Sequence, residues 1–179
     1  SRCVVVRSTD RGRSWNVAGE VPARDGHHFL EPFLHKAPSG RLDILMRTQL
    51  DFKKLPFDQT YLNLHQASSY DGGCTWDEPQ ATALFCPNPV HMLALGDGRA
   101  LVTYGQRRDP KGIEALVTSD ELPDFNQQLV TRLRAAESGD LGYTSAVMLD
   151  RNRALVVYYM TDEEGDACIG STIVEGLHA

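Results

Sequence analysis

The chain has 179 residues, of which 41% are hydrophobic, and this is enough material for one packed domain. Its formal net charge of −6 is scattered along the sequence without a basic stripe, so nucleic acid is not an expected partner. No apolar run approaches the roughly 20 residues that a membrane-spanning helix needs.

The beginning of the sequence has neither an initiator methionine nor a leader peptide, and it reads directly as a strand at Cys3–Arg7. We therefore interpret residues 1–179 as one partial domain, the C-terminal half of a longer protein. Its localisation is left open; the full-length protein would be secreted or periplasmic if it has a signal peptide.

The four cysteines form no CxxC pair, which argues against a zinc site. Free thiols and one or two disulfides both stay open, and no metal or cofactor is predicted.

An eight-residue turn motif recurs along the chain. It reads Ser-x-Asp-x-Gly-x-(Ser/Thr)-Trp at Ser8–Trp15 and at Ser69–Trp76. A third copy, Thr118–Phe125, keeps the hydroxyl, the Asp and the aromatic residue but loses the glycine. Because Asp can accept hydrogen bonds from backbone N–H groups and Gly can adopt positive φ, each copy predicts a tight turn between two strands. Trp15 and Trp76 are expected in the core.

Three predicted hairpins lie between the turn motifs, and an Arg opens the second strand of each. They run from Phe29–Ala37 to Arg41–Thr48, from Pro89–Leu95 to Arg99–Gly105, and from Tyr143–Leu149 to Arg153–Met160. A third strand follows each hairpin, and the first two hairpins then reach a turn motif and a fourth strand. The unit is a four-stranded antiparallel sheet repeated about every 50 residues, which is typical of β-propeller blades.

The predicted count is half a blade, two full blades and three strands of a last blade. A closed propeller commonly takes its last strand from the other terminus, which a missing N-terminal portion would supply. Gln127–Ala136 fits either a short amphipathic helix or the fourth strand of its blade. We predict the strand, because the repeat register places one there.

The turn motif resembles the Asp box of sialidases (neuraminidases) and related BNR-repeat propellers. The resemblance covers nearly the whole chain and includes an ordered series of Glu, Arg, Arg and Tyr. The series lies in Phe29-Leu30-Glu31-Pro32, Met46-Arg47-Thr48, Tyr104-Gly105-Gln106-Arg107 and Gly139-Asp140-Leu141-Gly142-Tyr143. The resemblance implies an all-β, sialidase-type propeller, six-bladed when complete and here about three blades. It also implies a glycoside hydrolase that removes terminal sialic acid from glycoconjugates with retention of configuration.

The resemblance also implies roles for four residues. Sialic acid carries a carboxylate on its anomeric carbon, and Arg binds carboxylates through two parallel N–H bonds. Arg47 and Arg107 match the second and third substrate-binding arginines of the family, and the first Arg and the general acid Asp would lie upstream. A carboxylate nucleophile would be repelled by the carboxylate of the sugar, so sialidases use Tyr instead. Tyr143 is the implied nucleophile, and Glu31 is the implied base that takes its proton.

Strand order predicts where these side chains lie. In an antiparallel blade, the start of the first strand and the end of the second share one rim, and the turn motif lies on the opposite rim. Glu31 and Tyr143 fall near the starts of first strands, and Arg47 and Arg107 fall near the ends of second strands. We therefore expect all four residues on one rim, beside the central channel.

Several of these residues have structural alternatives. In these, Glu31 is a solvated residue before Pro32, Arg47 pairs with Asp51, Arg108 replaces Arg107 as the ligand, and Tyr143 is a packed strand residue whose hydroxyl bonds to the backbone. Asp140 is interpreted as a turn residue rather than an acid. The pair His27-His28 is interpreted as loop surface, lining the cleft at most, rather than as a catalytic pair.

Two other functions remain open. One is a glycosidase or lyase that acts on a different acidic polysaccharide, and the other is a non-catalytic propeller that binds glycan or protein. An open set of blades would expose apolar surface. We therefore predict that the isolated chain is inactive and self-associates unless a missing N-terminal half covers that surface. A monomeric, sialoside-cleaving chain of 179 residues would contradict both parts of this prediction.

Overall fold

The computed structural model describes residues 2–51, 53–56, 59–126 and 129–177. These residues form thirteen β-strands and no α-helix. By their internal contacts they divide into two compact units, Ser1–Phe85 and Cys86–Ala179. Within the described ranges there is no helix of the length and apolarity that crossing a bilayer requires.

The first unit contains two antiparallel sheets. One pairs β1 (Cys3–Arg7) with β2 (Asn16–Val21). The other has four strands in sequential order, each paired with the next. These strands are β3 (His27–Lys36), β4 (Leu42–Leu50), β5 (Asn63–Ser69) and β6 (Gln80–Phe85).

The second unit also contains two antiparallel sheets with sequential strand order. The strands of the first are β7 (His91–Ala94), β8 (Arg99–Gln106), β9 (Gly112–Ser119) and β10 (Thr131–Ala135). The strands of the second are β11 (Leu141–Met148), β12 (Arg153–Thr161) and β13 (Ala167–Glu175). The described strands thus group as half a blade, two blades and three strands, as predicted. The strand interpretation within Gln127–Ala136 is confirmed at β10, while Gln127 and Gln128 lie outside the described residues.

Each unit has its own apolar core. In the first unit Trp76 is buried among residues of both sheets, including Cys3, Val21 and Phe29. Trp15 occupies the same place in its own turn motif but is 62% exposed, so the prediction that both tryptophans are core residues is wrong for Trp15. The reason is local, because the β1–β2 sheet covers Trp76 and no described strand of this unit covers Trp15 in the same way.

The core of the second unit joins its two sheets and includes Leu101, Ile113, Leu141, Val156 and Tyr158. The side chains of these residues come from β8, β9, β11 and β12.

The four cysteines of the whole chain are free thiols; Cys3 and Cys86 are buried, Cys168 is half-buried and Cys74 is exposed.

The turn motifs have the predicted hydrogen bonds. The Asp10 carboxylate accepts from the backbone N–H of Ser14 (2.9 Å), from the hydroxyl of Ser14 (2.7 Å) and from the hydroxyl of Ser8 (2.8 Å). Gly12, two residues after this Asp, has a positive φ of 83°. In the third copy, Thr118 Oγ1 donates to Asp124 O (3.0 Å) and accepts from Asp124 N (2.9 Å). A reciprocal pair of bonds thus closes the turn that lacks the glycine.

The first turn motif should make the free energy of unfolding depend on pH in the acidic range. The hydrogen bonds from Ser14, and then the bond from Ser8, lower the pKa of Asp10 to about 2. A lowered pKa means that the carboxylate stabilises the fold above its unfolded pKa of about 3.9 and loses that effect as pH falls towards the folded pKa. The stability gap between wild type and Asp10→Asn should therefore be full at neutral pH and shrink between about pH 4 and pH 2.

Urea unfolding midpoints measured from pH 2 to pH 7 test this expectation. Ser14→Ala removes the hydroxyl donor to Asp10 and keeps the backbone N–H donor. The stability difference between Ser14→Ala and Asp10→Asn should therefore be smaller than that between wild type and Asp10→Asn, and it should disappear at slightly higher pH. A gap that stays constant over the whole pH range would contradict the assignment.

Candidate active site

The first strands of two blades each contain a β-bulge at a predicted catalytic residue. The register of β3 against β4 shifts between Leu30 and Phe33, and the register of β11 against β12 shifts between Gly142 and Ser145. Glu31 lies in the first bulge and Tyr143 in the second. Bulges of this kind occur often beside active sites, where they redirect a side chain.

Both residues have a left-handed backbone. The φ angle is 47° at Glu31 and 50° at Tyr143. Within the described ranges the other non-glycine residue with positive φ is Arg11, which lies in a turn motif. A left-handed backbone costs a residue with a Cβ atom about 1–2 kcal/mol, and such positions cluster at functional sites. The fold therefore maintains two unfavourable conformations at the two residues for which the sequence resemblance implies catalytic roles.

In the first unit, Glu31 contacts Arg47. Arg47 Nη1 donates to Glu31 Oε2 at 2.8 Å, and the Arg47 side chain is only 8% exposed. The guanidinium carbon lies 5.4 Å from the ring centroid of Tyr61, in cation–π geometry. The ion pair of Arg47 is thus with Glu31, whereas Asp51 forms an ion pair with Lys54 at 3.8 Å. The alternative that paired Arg47 with Asp51 does not describe this arrangement, while the Glu31 side chain remains 31% exposed.

In the second unit, Arg107 is directed towards the start of β11. Its Nε and Nη2 atoms donate to the carbonyl oxygen of Leu141 at 3.3 and 3.2 Å, and Nη2 also donates to the Tyr159 hydroxyl at 2.9 Å. Arg107 is half-buried and Arg108 is exposed. Arg107 therefore contacts the bulged strand β11 through the carbonyl oxygen of Leu141.

Tyr143 is 48% exposed, so it is not the packed strand residue of the alternative interpretation. Its ring centroid lies 5.8 Å from that of Tyr159, with the planes tilted by 45°. The Tyr159 hydroxyl donates to Asp140 Oδ1 at 2.7 Å. Asp140 does lie in the connection before β11, as a turn residue would, but its carboxylate also binds this phenol.

Tyr159 is the residue of this site that sequence reasoning missed. Burial, together with the hydrogen bond to Asp140, raises its pKa to about 12. The signal that could have found it is the hairpin register. Arg47 pairs with Leu30 and Tyr159 pairs with Gly142, and in each case the partner directly precedes the bulge. Tyr159 is thus the counterpart of Arg47 in the last blade.

Neighbouring residues fix Tyr143 from both sides. On one side, Asn88 is fully buried against Gly142 and donates from Nδ2 to the carbonyl oxygen of Gly105 at 3.0 Å. On the other side, Thr144 Oγ1 donates to Thr103 O and accepts from Thr103 Oγ1, both at 2.9 Å. The residues on either side of Tyr143 thus have buried contacts, which restrict the backbone at this exposed tyrosine.

Two histidines of the first unit, His27 and His65, form an aromatic cluster with Phe29. His27 and His28 begin β3, so the loop interpretation is wrong. The ring of His65 lies 5.7 Å from His27 and 5.6 Å from Phe29 between centroids. Burial lowers the pKa of His65, which favours its neutral form at physiological pH.

The two pairs of predicted site residues lie in different units. Glu31 and Arg47 contact each other in the first, and Arg107 and Tyr143 share Tyr159 as a neighbour in the second. The expectation that all four converge beside one channel stays a prediction.

A family model for a BNR repeat-like domain matches residues 1–159. The chain belongs to this family. The BNR-repeat part of the sequence resemblance is thereby confirmed, and the all-β blades are those of a β-propeller.

The chain is similar to a crystal structure of a protein of unknown function from Dyadobacter fermentans, at 32% identity and a TM-score of 0.83. That match covers 95% of this chain and 44% of the other.

Two structures of an α-L-arabinofuranosidase from Fusarium graminearum have a similar fold. A mutant in complex with an iminosugar inhibitor matches at 16% identity and a TM-score of 0.59. The GH93 enzyme in complex with arabinobiose matches at 17% identity and a TM-score of 0.58. Each match covers 94% of this BNR repeat-like chain and 52% of the other. The BNR repeat-like chain thus spans about half the length of these structures, and no curated protein matches it.

Proposed function

We propose that this BNR repeat-like chain supplies part of the active site of a glycoside hydrolase that removes terminal sialic acid with retention of configuration. Tyr143 is the nucleophile, Glu31 is the base that takes its proton, and Arg47 and Arg107 bind the carboxylate of the sugar. The observation that carries the proposal is the left-handed backbone of Glu31 and Tyr143, each within a bulge of a first strand.

The proposed chemistry proceeds in two steps. The Tyr143 oxygen attacks the anomeric carbon while its proton passes to Glu31, and the bond to the leaving sugar breaks as a general acid protonates the departing oxygen. Water then attacks the anomeric carbon, and the phenol leaves as it regains a proton. The half-exposed ring of Tyr143 gives substrate access to the hydroxyl, and the ion pair with Arg47 holds the Glu31 carboxylate in place as the proposed proton acceptor.

The two arginines suit an acidic sugar because a guanidinium stays charged and binds carboxylates in a planar, paired geometry. The Arg47 side chain is 8% exposed, and a charge shielded from water attracts an anionic group more strongly than an exposed one. The chain as a whole is acidic, so the attraction for the substrate would be local to these two side chains.

A neutral furanoside such as an α-L-arabinofuranoside is the second candidate substrate. It is favoured by the hydrogen bonds that the arginines already form, Arg47 with Glu31 and Arg107 with Leu141 O and the Tyr159 hydroxyl. In this case the arginines would position catalytic groups instead of binding a carboxylate. The fold shared with a GH93 α-L-arabinofuranosidase agrees with this candidate.

The test is a comparison of substrates with the full-length protein that contains this chain. A fluorogenic sialoside, an aryl uronide and an aryl α-L-arabinofuranoside are assayed side by side, and NMR follows the anomeric configuration of the first product. We expect turnover of the sialoside with net retention. Turnover of the arabinofuranoside or the uronide alone would overturn the sialic acid assignment, and glycan binding without cleavage would overturn the enzymatic proposal.

A further inference from the structure

A continuous set of hydrogen bonds links three side chains at the end of the β11–β12 hairpin. Arg107 Nη2 donates to the Tyr159 hydroxyl at 2.9 Å, and that hydroxyl donates to Asp140 Oδ1 at 2.7 Å. The Asp140 backbone is held as well, because Thr161 Oγ1 donates to its carbonyl oxygen at 3.1 Å. The phenol of Tyr159 therefore bridges a guanidinium and a carboxylate whose own positions are fixed by the hairpin.

The hydrogen bond to the Tyr159 hydroxyl restricts the orientation of the Arg107 guanidinium. Without the Tyr159 hydroxyl, the guanidinium keeps only its contacts to the carbonyl oxygen of Leu141, at 3.3 and 3.2 Å, which are long for hydrogen bonds to a charged group. Arg107 is half-buried and has several rotatable bonds, so a single anchor leaves it more than one orientation. A second anchor on Nη2 selects one of them.

The same phenol supports Tyr143. The rings of Tyr143 and Tyr159 lie 5.8 Å apart between centroids with a tilt of 45°, a favourable geometry for an aromatic pair. Tyr159 lies opposite Gly142 on the paired strand, so its ring faces the bulge from which Tyr143 projects. Burial and the bond to Asp140 raise the pKa of Tyr159 to about 12, so at neutral pH the hydroxyl stays protonated and keeps donating.

We propose that Tyr159 and Asp140 are positioning residues, which together fix the orientation of Arg107 for substrate binding and support the ring of Tyr143. The proposal rests on the proposed hydrolase function for its kinetic consequences, but the hydrogen-bond network itself can be tested without a substrate. Neither residue takes part in bond making or breaking, so their removal should affect binding more than turnover.

The kinetic test uses the full-length protein and the glycoside that it cleaves. Tyr159→Phe keeps the ring and removes the hydroxyl, and it should raise KM about tenfold because a hydrogen bond to a charged group is lost, with kcat changed much less. Asp140→Ala should resemble it, whereas Asp140→Asn keeps an oxygen acceptor and should restore most of the wild-type KM. The double variant Tyr159→Phe with Asp140→Ala should be no worse than either single variant, because both remove the same network.

Tyr158→Phe is the matched control. Tyr158 is adjacent on β12, is buried on the other face, and bonds to Thr172 Oγ1 at 2.8 Å instead of to the site. Its loss should lower stability and leave KM unchanged. An unchanged KM in Tyr159→Phe, or additive effects in the double variant, would overturn the proposal.

NMR separates failure of the network from failure of the hydrolase assignment. In ¹⁵N-labelled protein, the Arg107 Nε–H signal, assigned with Arg107→Lys, should exchange with solvent about tenfold faster in Tyr159→Phe and Asp140→Ala than in wild type. If no glycoside is cleaved but this change occurs, the network is present and the proposed reaction is wrong. If exchange is the same in all three proteins, the positioning role is refuted, whatever the activity.

Discussion

Tyr143→Phe is expected to lower kcat by about a thousandfold or more while KM changes little, because removal of a covalent nucleophile affects the chemical step and spares ground-state binding. The substitution keeps the ring, its contact with Tyr159 and the left-handed backbone at residue 143. The hydroxyl that would attack the anomeric carbon is all that it removes. Initial rates with the cleaved glycoside, together with a binding measurement on an uncleaved analogue, separate the two effects.

Tyr70→Phe is the control for this prediction. Tyr70 lies in the second turn motif and is 75% exposed, so the same chemical change there should leave kcat and KM at wild-type values. Full activity in Tyr143→Phe would refute the nucleophile assignment and direct attention to Tyr159, whose hydroxyl accepts from Arg107 and donates to Asp140.

Sequence reasoning was most effective where a repeat fixed the register. The turn motifs at Ser8–Trp15 and Ser69–Trp76 predict the strands on either side, since a tight turn with Asp and Gly leaves few backbone alternatives. The same register identifies β10 as a strand, although Gln127–Ala136 alone also fits a helix. Periodic turns carry information about the fold because each copy constrains a whole four-stranded sheet.

The site was predictable only in part, since its geometry depends on pairing between strands. Glu31 and Tyr143 follow from family resemblance, but nothing in the sequence shows that both lie in bulges with positive φ. Tyr159 becomes visible once its pairing with Gly142 is known. Trp15 and Trp76 occupy equivalent positions in their turn motifs but differ in exposure. The difference depends on which neighbouring sheet covers each ring, and the motif itself carries no information about that.

Gly142→Ala is expected to reduce both stability and activity, because Gly142 directly precedes the proposed nucleophile in a closely packed place. A Cβ atom there would lie 2.7 Å from Asn88 Oδ1 and 2.8 Å from Asn88 Cγ, well inside normal contact distance. Asn88 is fully buried and bonded to Gly105 O, so it has little room to move. The φ of Gly142 is also 129°, which a residue with a Cβ atom rarely adopts.

We expect the overlap and the backbone conformation together to lower the free energy of unfolding by about 2–4 kcal/mol. The bulge can relieve the overlap only by shifting, and that would move Tyr143 from its preorganised position, so kcat should fall further than instability alone explains. Urea unfolding and kcat measured at a temperature where the variant is fully folded distinguish the two effects.

Gly139→Ala is the matched control, since a Cβ atom at Gly139 would lie 3.4 Å from its nearest neighbour, Arg107 O, an ordinary contact. It should change stability and kcat little. Asn88→Ala removes the atoms that Gly142→Ala would strike, so in the double variant the cost of Gly142→Ala should be smaller than in the wild-type background. Equal costs in both backgrounds would show that Asn88 does not hold the bulge, and the buried contact on this side of Tyr143 would then have no part in orienting the phenol.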